Sequence, residues 1–302
     1  MTMPTFLMLG GAKAGTSSLY AYMRQHPAIF LSEVRECDFF VFEGQTPRFH
    51  GPGDDVALRR YITTLDRYQA LFRGAGDRPA LGESSDLYLD GPGAARRIRD
   101  RLPEAKLIVI LRDPADRAYS QFKHLVRDGR EMLDTFEQAL DAEDERVAKG
   151  WHPIWHLTRR GFYAGQLEAY LDLFPREQIS VHLYDDFVAD PPAVLRALFQ
   201  FLEVDPEFRP DMSLQYNVSG APRSELLHAF LARPLPVKDF FKPFLSAPFR
   251  HRVRARLMNS NIVPDRSRMA KATRKALIEL YRADILRLEA LLQRDLGAWL
   301  KA

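Results

Sequence analysis

A glycine-rich stretch near the start of the chain combines a lysine with three hydroxyl side chains. Residues 10–15 follow the apolar run Thr5–Leu9, which predicts a buried strand, and they precede Ser18–Gln25, which has helical spacing. Glycines let the backbone approach an anion closely, and successive N–H groups together with a helix N-terminus add positive potential. A strand, a turn that carries Lys13 and a helix that opens on Thr and Ser therefore indicate a phosphate-binding loop.

The position of the lysine distinguishes this loop from the common nucleotide-binding loop. In the pattern G-x-x-x-x-G-K-[ST] the lysine follows the last glycine, whereas Lys13 precedes Gly15 by two residues. A phosphoryl transferase that uses the same type of loop is an alternative. It needs magnesium ligands and a lysine after the last glycine, and the sequence shows neither pattern.

Alternating strand and helix patterns must position this loop. The predicted strands are 5–9, 28–31, 80–84, 106–111 and 179–183. The predicted helices are 18–25, 54–72, 92–102, 115–127, 135–148, 161–174, 192–202 and 268–293. Asp113 is expected to cap the helix over 115–127, with Pro114 at its first position. Repeated β–loop–α units predict an α/β fold whose doubly wound sheet has mostly parallel strands flanked by helices, with ligands at the carboxyl ends of the strands.

Composition and length favour one globular domain over residues 1–302. Hydrophobic residues make up 46% of the chain and charged residues 27%, and no apolar run is long enough to span a bilayer. The single cysteine, Cys37, excludes an internal disulfide, and the first strand leaves no room for a signal peptide. We expect a cytoplasmic protein. Residues 204–266 are expected to hold a lid or insertions, and residues 267–302 a C-terminal helix.

Charge is spread unevenly along the chain. The net charge is +3, but from Arg223 onward 17 Lys and Arg stand against 7 Asp and Glu. The excess favours an acidic partner or a solvated helix face at the C-terminal end, and the stretch 237–256 suits an acceptor lid, a membrane-surface segment or a solvated arm. No motif for nucleic-acid binding accompanies the basic residues.

Four segments at the predicted strand ends, in this order, resemble the PAPS-dependent sulfotransferases. They are the Lys13 loop, Glu33–Phe40, Gly82–Leu89 and Leu111–Ser120. The resemblance is greatest to the branch of the heparan sulfate sulfotransferases and their bacterial relatives, and it covers most of the chain. It implies a P-loop-like α/β fold and 3′-phosphoadenosine 5′-phosphosulfate (PAPS) as co-substrate.

The resemblance also implies a role for individual residues in holding the donor. It assigns the 5′-phosphosulfate to the residues of the first loop: Lys13, Ala14, Gly15, Thr16, Ser17 and Ser18. It assigns the 3′-phosphate to Arg112 and Ser120, of which the arginine supplies a fork of donors. The alternative for this pair is an ion pair of Arg112 with Asp116 and a hydroxyl on the helix surface.

The catalytic base implied by the resemblance is Glu36, which precedes Phe39-Phe40 as the family motif requires. A positioned carboxylate takes the proton of the acceptor, and Lys13 stabilises the negative charge that develops on the leaving oxygen. No metal is expected, because the sulfuryl group carries less charge than a phosphoryl group. The alternative for Glu36 is a surface ion pair with Arg35, and Glu33 competes for the role without the right spacing.

Two departures from the family pattern concern the acceptor. Relatives often have His where this chain has Asp38, and Lys where it has Ser84. Because two neighbouring carboxylates can raise one another's pKa, Asp38 is expected either to share the role of base with Glu36 or to alter it. The acceptor stays open among small molecules, lipids and glycans, as do O- and N-sulfation and the oligomeric state.

For two further patterns a structural role is expected instead of a chemical one. His152 and His156 lie four residues apart, but no third ligand accompanies them, so packing or an acceptor wall is expected rather than a metal site. Cys37 has no histidine near it in sequence and is expected to be a packed thiol. The remaining alternative for the whole chain is a non-catalytic binder of acidic glycans or membranes through its basic C-terminal quarter.

Overall fold

A five-stranded parallel sheet forms the centre of the computed structural model, which describes residues 2–213 and 268–302 and the backbone of 220–222 and 262–264. The strands are β1 (Phe6–Gly10), β2 (Ile29–Leu31), β3 (Ala80–Ser84), β4 (Lys106–Leu111) and β5 (Ile179–Leu183). Their order is β2-β3-β1-β4-β5, and each neighbouring pair is parallel. The five predicted strands are confirmed.

Both faces of the sheet are covered, as the unbroken apolar runs of β1 and β4 predict. Successive residues of a strand point to opposite faces. Phe6 and Met8 accordingly belong to one apolar core, whereas Leu7 and Leu9 belong to the other. The α/β fold class with helices on both faces is therefore confirmed.

Twelve helices can be numbered in the described residues. They are α1 (Thr16–Met23), α2 (Phe39–Phe42), α3 (Asp54–Leu58), α4 (Leu65–Ala70), α5 (Ala94–Arg101), α6 (Pro114–Arg127), α7 (Phe136–Asp141), α8 (Glu143–Ala148), α9 (Tyr163–Leu171), α10 (Tyr184–Ala189), α11 (Pro191–Phe201) and α12 (Lys271–Leu292). Helix α6 begins as expected, since the Asp113 carboxylate accepts from the backbone N–H groups of Ala115 and Asp116 and Pro114 is its first residue.

The prediction of one helix over 54–72 is wrong. The chain forms α3 and α4 and leaves helical geometry between them. There the Ile62 N–H donates to the Cys37 carbonyl (2.9 Å) and the Thr63 carbonyl accepts from Gly44 (2.9 Å), so the backbone bonds to distant loops instead of to itself. Tyr61 and Ile62 are buried by this arrangement. Tertiary contacts override the helical pattern.

The helical region predicted over 135–148 is observed as two short helices, α7 and α8, which are separated by the single residue Ala142. At the start of α8 Glu143 is buried and accepts from the backbone of Thr158 (2.8 Å) and Arg159 (3.1 Å). Glu143 thus supplies a carboxylate to two N–H groups of a distant turn.

The C-terminal part is described only in pieces. Residues 204–213 have no regular structure, and β6 (Gly220–Pro222) pairs antiparallel with β7 (Ile262–Pro264). Helix α12 packs against α9 and α6. The expected lid within 204–266, including 237–256, lies largely outside the described residues, so the single-domain boundaries stay a prediction. Among the described helices, none is long and apolar enough to cross a membrane.

Candidate functional site

A cleft of about 460 Å³ lies at the carboxyl ends of the five parallel strands. A residue that follows each strand lines it: Lys13 after β1, Glu36 after β2, Asp86 after β3, Arg112 after β4 and Tyr184 after β5. Parallel strands bring loops that are distant in sequence to one edge of the sheet. The first four of these loops are the segments singled out in the sequence.

The lining of the cleft contains two groups of residues of different character, here called its basic wall and its carboxylate wall, which meet where the Arg35 Nη1 donates to the Ser17 Oγ (3.1 Å). The basic wall consists of Lys13, Gly15, Thr16, Ser17, Ser18, Arg112, Ser120, His124, Arg127 and Tyr184. The carboxylate wall consists of Arg35, Glu36, Asp38, Tyr61, Asp86, His152 and Arg160. Every predicted site residue lines the cleft except Ala14, whose side chain is buried in the core and whose N–H donates to the Gly11 carbonyl (3.3 Å).

The loop after β1 is shaped by a glycine that no other residue could replace without strain. Gly15 has a φ of 91°, and a Cβ there would lie 3.0 Å from the Tyr184 ring. Its carbonyl accepts from the N–H groups of Ser18 and Leu19, which starts α1. Thr16, Ser17 and Ser18 thereby stand in the first turn of a helix, whose N-terminus stabilises an anion.

Lys13 lies among cations. Burial and the positive charges of Arg127 and Arg112 together lower its pKa to about 8, against the opposing effect of Asp128 and Asp86. An ammonium group held in this way gains stability from any anion that enters the cleft. The basic wall therefore fits a phosphate or a sulfate ester.

Arg112 is oriented toward the Lys13 loop and away from its expected rival. Its Nη1 donates to the Lys13 carbonyl (3.2 Å), and its guanidinium lies 4.7 Å from the centre of the Tyr184 ring. Asp116 instead pairs with Arg274 (2.6 Å). The alternative of an Arg112–Asp116 ion pair is therefore wrong, while Ser120 faces the cleft beside Arg112 as expected.

Two residues of the basic wall were missed in the sequence although they carried a signal. His124 and Arg127 follow Ser120 at the spacing of one helix face, so they point into the same cleft from α6. The His124 Nε2 lies 3.1 Å from Asp128, and its Nδ1 is buried without a partner among the described residues. Burial lowers the pKa of His124.

Two hydrogen bonds to the backbone hold Glu36 within the carboxylate wall. Its N–H donates to the Ser84 carbonyl (2.9 Å), and its carboxylate accepts from the Asp86 N–H (2.7 Å). Glu36 also forms the ion pair with Arg35 that the alternative predicts (3.5 Å), although the Glu36 side chain is only 23% exposed and the pair is therefore half-buried instead of lying at the surface. Burial and then the Asp86 charge raise the pKa of Glu36 to about 8.

The pKa values of neighbouring acids in this wall are shifted in opposite directions. Burial and the charge of Glu36 raise the pKa of Asp38 well above its usual value. Burial also acts to raise the pKa of Asp86. The positive charge and hydrogen bond of Arg160 outweigh burial, so the pKa of Asp86 is lowered. Arg160 is itself held by Asp90 through two hydrogen bonds (2.7 and 3.0 Å). The wall thus contains one firmly ionised carboxylate and two that hold a proton more tightly.

Other candidates lie away from the chemistry. Glu33 pairs with Arg24 at the surface, and Glu83 is fully buried beneath Tyr68 and Ser85. Burial raises the pKa of the Cys37 thiol, so it is packed and inert, as expected. Across residues 2–213 and 268–302 no group of three His, Cys, Asp or Glu is placed to hold a metal ion.

Tyr61 was missed as a site residue and carries no sequence signal for this role, whereas His152 belongs to the histidine pair for which packing or an acceptor wall is expected, and of that pair it alone lines the cleft. Tyr61 lies in the stretch wrongly predicted as helix, and His152 comes from a loop 91 residues later. They are in hydrogen-bond contact across the carboxylate wall. Only the packing of irregular segments brings them to Glu36.

A second cavity of about 520 Å³ borders the cleft, since Arg112 and Ser120 line both. Its other cationic residues are Lys123, Arg268, Lys271 and Arg274. The two cavities together offer two separate places for negative charge, joined at Arg112 and Ser120.

The comparisons with known proteins agree on one family. A sequence profile described as "Sulfotransferase family" matches residues 91–209, which include Arg112 and Ser120. The crystal structure of a sulfotransferase from Alicyclobacillus acidocaldarius is 35% identical, and the match covers 100% of each chain with a TM-score of 0.80. That of mouse SULT7A1 complexed with PAP is 14% identical with a TM-score of 0.50, covering 94% of this chain and 84% of that one, and shows the fold alone.

A longer relative is similar over part of its length. The bifunctional heparan sulfate N-deacetylase/N-sulfotransferase of Drosophila melanogaster is 27% identical over 234 residues. The match covers 72% of this chain but only 21% of that protein, so this chain spans about a fifth of the length of that relative.

Proposed function

This chain belongs to the sulfotransferase family, and we propose that it transfers a sulfuryl group from PAPS to a hydroxyl or amine of an acceptor. The observation that carries the proposal is that the Lys13 loop, Arg112 and Glu36 line one cleft. Cations stand where a phosphosulfate would be held, and a carboxylate of raised pKa stands where a proton must be received.

The basic wall supplies the grip on the donor. Lys13, the N–H groups at the start of α1 and the hydroxyls of residues 16–18 would hold the 5′-phosphosulfate. Arg112 and Ser120, at the border of the second cavity, would hold the 3′-phosphate. The complex of mouse SULT7A1 with PAP, the nucleotide product of such a donor, agrees with this choice of co-substrate.

Glu36 and Lys13 would share the chemistry. The acceptor oxygen or nitrogen forms a bond to sulfur while the bond from sulfur to the bridging phosphate oxygen breaks. Glu36 takes the proton that leaves the acceptor, and the electron pair of the broken bond stays on the phosphate as negative charge. Lys13 stabilises that charge as it develops. No step in this scheme requires a metal ion.

The experiment is a thermal-shift comparison of two nucleotides on the full chain in EDTA. PAP should raise the Tm in a concentration-dependent way, because a ligand that binds only the folded state stabilises it. ATP with magnesium, tested without EDTA, should give a smaller shift. A shift with ATP and magnesium but none with PAP would contradict the proposal and favour a phosphoryl transferase. Activity that is lost on chelation would contradict the metal-independent scheme.

The acceptor is proposed only as a class. Small molecules, lipids and glycans that carry a hydroxyl or amine all remain candidates, and the Drosophila relative is by name an N-sulfotransferase. The alternative of a non-catalytic binder rests on the basic stretch after Arg223, most of which lies outside the described residues. A screen of acceptors with radiolabelled donor would identify the class.

A further inference from the structure

Tyr61 and His152 form a fixed pair in the carboxylate wall. The Tyr61 ring packs against Phe42, with 4.6 Å between ring centres, and the His152 ring meets Phe49 edge-on at 4.8 Å. Both residues are less than a tenth exposed, and the Tyr61 Oη contacts the His152 Nε2. Neither ring is free to turn without losing these contacts.

The hydrogen bonds of His152 determine which way the Tyr61 hydroxyl donates. The Ile154 N–H donates to the His152 Nδ1 (2.9 Å), so that nitrogen carries no hydrogen. Burial, aided by Arg160 and Arg130, lowers the pKa of His152 to about 3, so the ring is neutral at pH 7. The hydrogen is then on Nε2 and is donated to Tyr61. The hydrogen of the Tyr61 hydroxyl must therefore go to another acceptor.

Asp54 holds the loop that carries His152, and with it the Tyr61–His152 pair, in place. Its carboxylate accepts from the backbone N–H groups of His152 (2.9 Å) and Gly51 (2.7 Å) and from the Trp155 indole (3.0 Å), and it pairs with Arg130. Asp54 itself is 1% exposed. The loop that carries His152 is thus tied to a buried charge, which keeps the Tyr61 hydroxyl at a defined place.

Asp38 adds a second polar group to the same wall. It follows Glu36 by two residues, and the Ser85 hydroxyl accepts from its N–H (3.2 Å). Its residue is 2% exposed, and its Oδ1 has no hydrogen-bond partner among the described residues. A buried carboxyl oxygen without a partner is costly unless a ligand supplies one.

We propose that Tyr61 and Asp38 select the acceptor by binding a second hydroxyl or amine that neighbours the nucleophilic one, with His152 as the positioning residue for Tyr61. The Tyr61 O–H donates to this second group, and the Asp38 carboxyl accepts from it. Glu36, two residues from Asp38, then faces the nucleophile itself. The inference rests on the proposed sulfuryl transfer and narrows its acceptor to vicinal diols and amino alcohols.

The character of the wall explains why such an acceptor is preferred. A site built to hydrogen-bond a substrate hydroxyl or amine rejects the analogue that lacks it, because the buried polar groups of the site are left without partners. An isolated phenol or lipid hydroxyl would satisfy Glu36 alone. It would leave the hydrogen of the Tyr61 hydroxyl without an acceptor and the Asp38 Oδ1 without a donor.

The experiment uses three acceptors of one ring size. They are trans-2-aminocyclohexanol, cyclohexylamine and cyclohexanol, each assayed with radiolabelled PAPS on the full chain. The wild-type protein should sulfate the amino alcohol with a kcat/KM at least about tenfold above either analogue. Equal values for the three compounds, or transfer to neither nitrogen nor oxygen of the amino alcohol, would overturn the inference.

Matched variants separate recognition from structural support. Tyr61→Phe and Asp38→Asn should lower kcat/KM for the amino alcohol by about tenfold more than they lower it for either analogue, so that the preference is lost. His152→Phe, which keeps an aromatic ring against Phe49, should raise KM more than it lowers kcat. Tyr170→Phe, whose hydroxyl donates to a carbonyl in the core (2.6 Å), is the control and should leave the preference intact.

The readouts distinguish two kinds of failure. If Tyr61→Phe lowers all three rates equally, the residue has only a structural role and the inference is wrong. If PAP fails to raise the Tm of the wild-type protein, the proposed function fails first. A normal PAP shift with no preference among acceptors contradicts the inference alone.

Discussion

The two walls of the cleft are built in different ways. The basic wall comes from the ends of β1 and β4, from the start of α1 and from the middle and last turn of α6, so regular elements place its cations. The carboxylate wall comes from loops after β2 and β3 and from irregular segments around Tyr61 and His152. Under the proposed function, regular elements would hold the donor that a whole family would share, whereas irregular loops would form the end that distinguishes acceptors.

The walls also differ in how their charges are balanced. Lys13 and Arg127 repel one another in the basic wall, and an incoming anion relieves that repulsion. In the carboxylate wall Arg160 keeps Asp86 ionised, while burial holds protons on Glu36 and Asp38. Acids whose pKa values are pushed apart in this way are suited to different roles in proton transfer. If this contrast is correct, variants of the two walls will affect different steps.

The largest effect is expected from Glu36→Gln. The amide keeps the shape and the hydrogen bond from the Asp86 N–H but cannot take a proton, so turnover should fall about 10²–10⁴-fold. The PAP-induced Tm shift should stay unchanged. Glu33→Gln, on the same loop but exposed, is the control. If Glu36→Gln weakened PAP binding as much as it lowers turnover, the two walls would not act in different steps.

The next effect is expected from Lys13→Ala on the opposite wall. Loss of the ammonium group should lower kcat about 10²–10³-fold, because the leaving oxygen loses its stabilising charge, and it should also weaken PAP. Single-turnover rates and PAP titration measure the two losses. Lys149→Ala, at an exposed ion pair with Glu145, should change neither. Unaltered PAP affinity in Lys13→Ala would place the donor elsewhere.

A smaller effect, of about tenfold per pH unit, is expected in the pH dependence of kcat/KM, which should differ between the acceptor and PAPS. Glu36, with a pKa raised to about 8, must be ionised to act as base, so kcat/KM for the acceptor at saturating donor should rise up to about pH 8. Lys13, with a pKa lowered to about 8, loses its charge above that value, so kcat/KM for PAPS should fall there. An acceptor profile that levels off near pH 5 would contradict the role of Glu36.

The sequence predicted the elements of the basic wall because their signals are local. The five strands were found from apolar runs, and the cap at Asp113 from its place before Pro114. Glu36 also came from a short motif. In contrast, the helix predicted over 54–72 is broken where Tyr61 and Ile62 leave it to pack, since a helical pattern does not reveal backbone bonds to distant loops.

By itself the sequence determined the α/β sheet and the glycine-rich turn at Lys13 that follows its first strand. These follow from hydrophobic periodicity and turn residues, which act within a few residues along the chain. Glu36, in contrast, was singled out through the resemblance to a family motif. Only the tertiary structure decided which groups face Glu36. Tyr61, His152 and Arg160 meet there because buried polar groups must find partners, and those partners lie up to 98 residues away, as with His152 on Asp54.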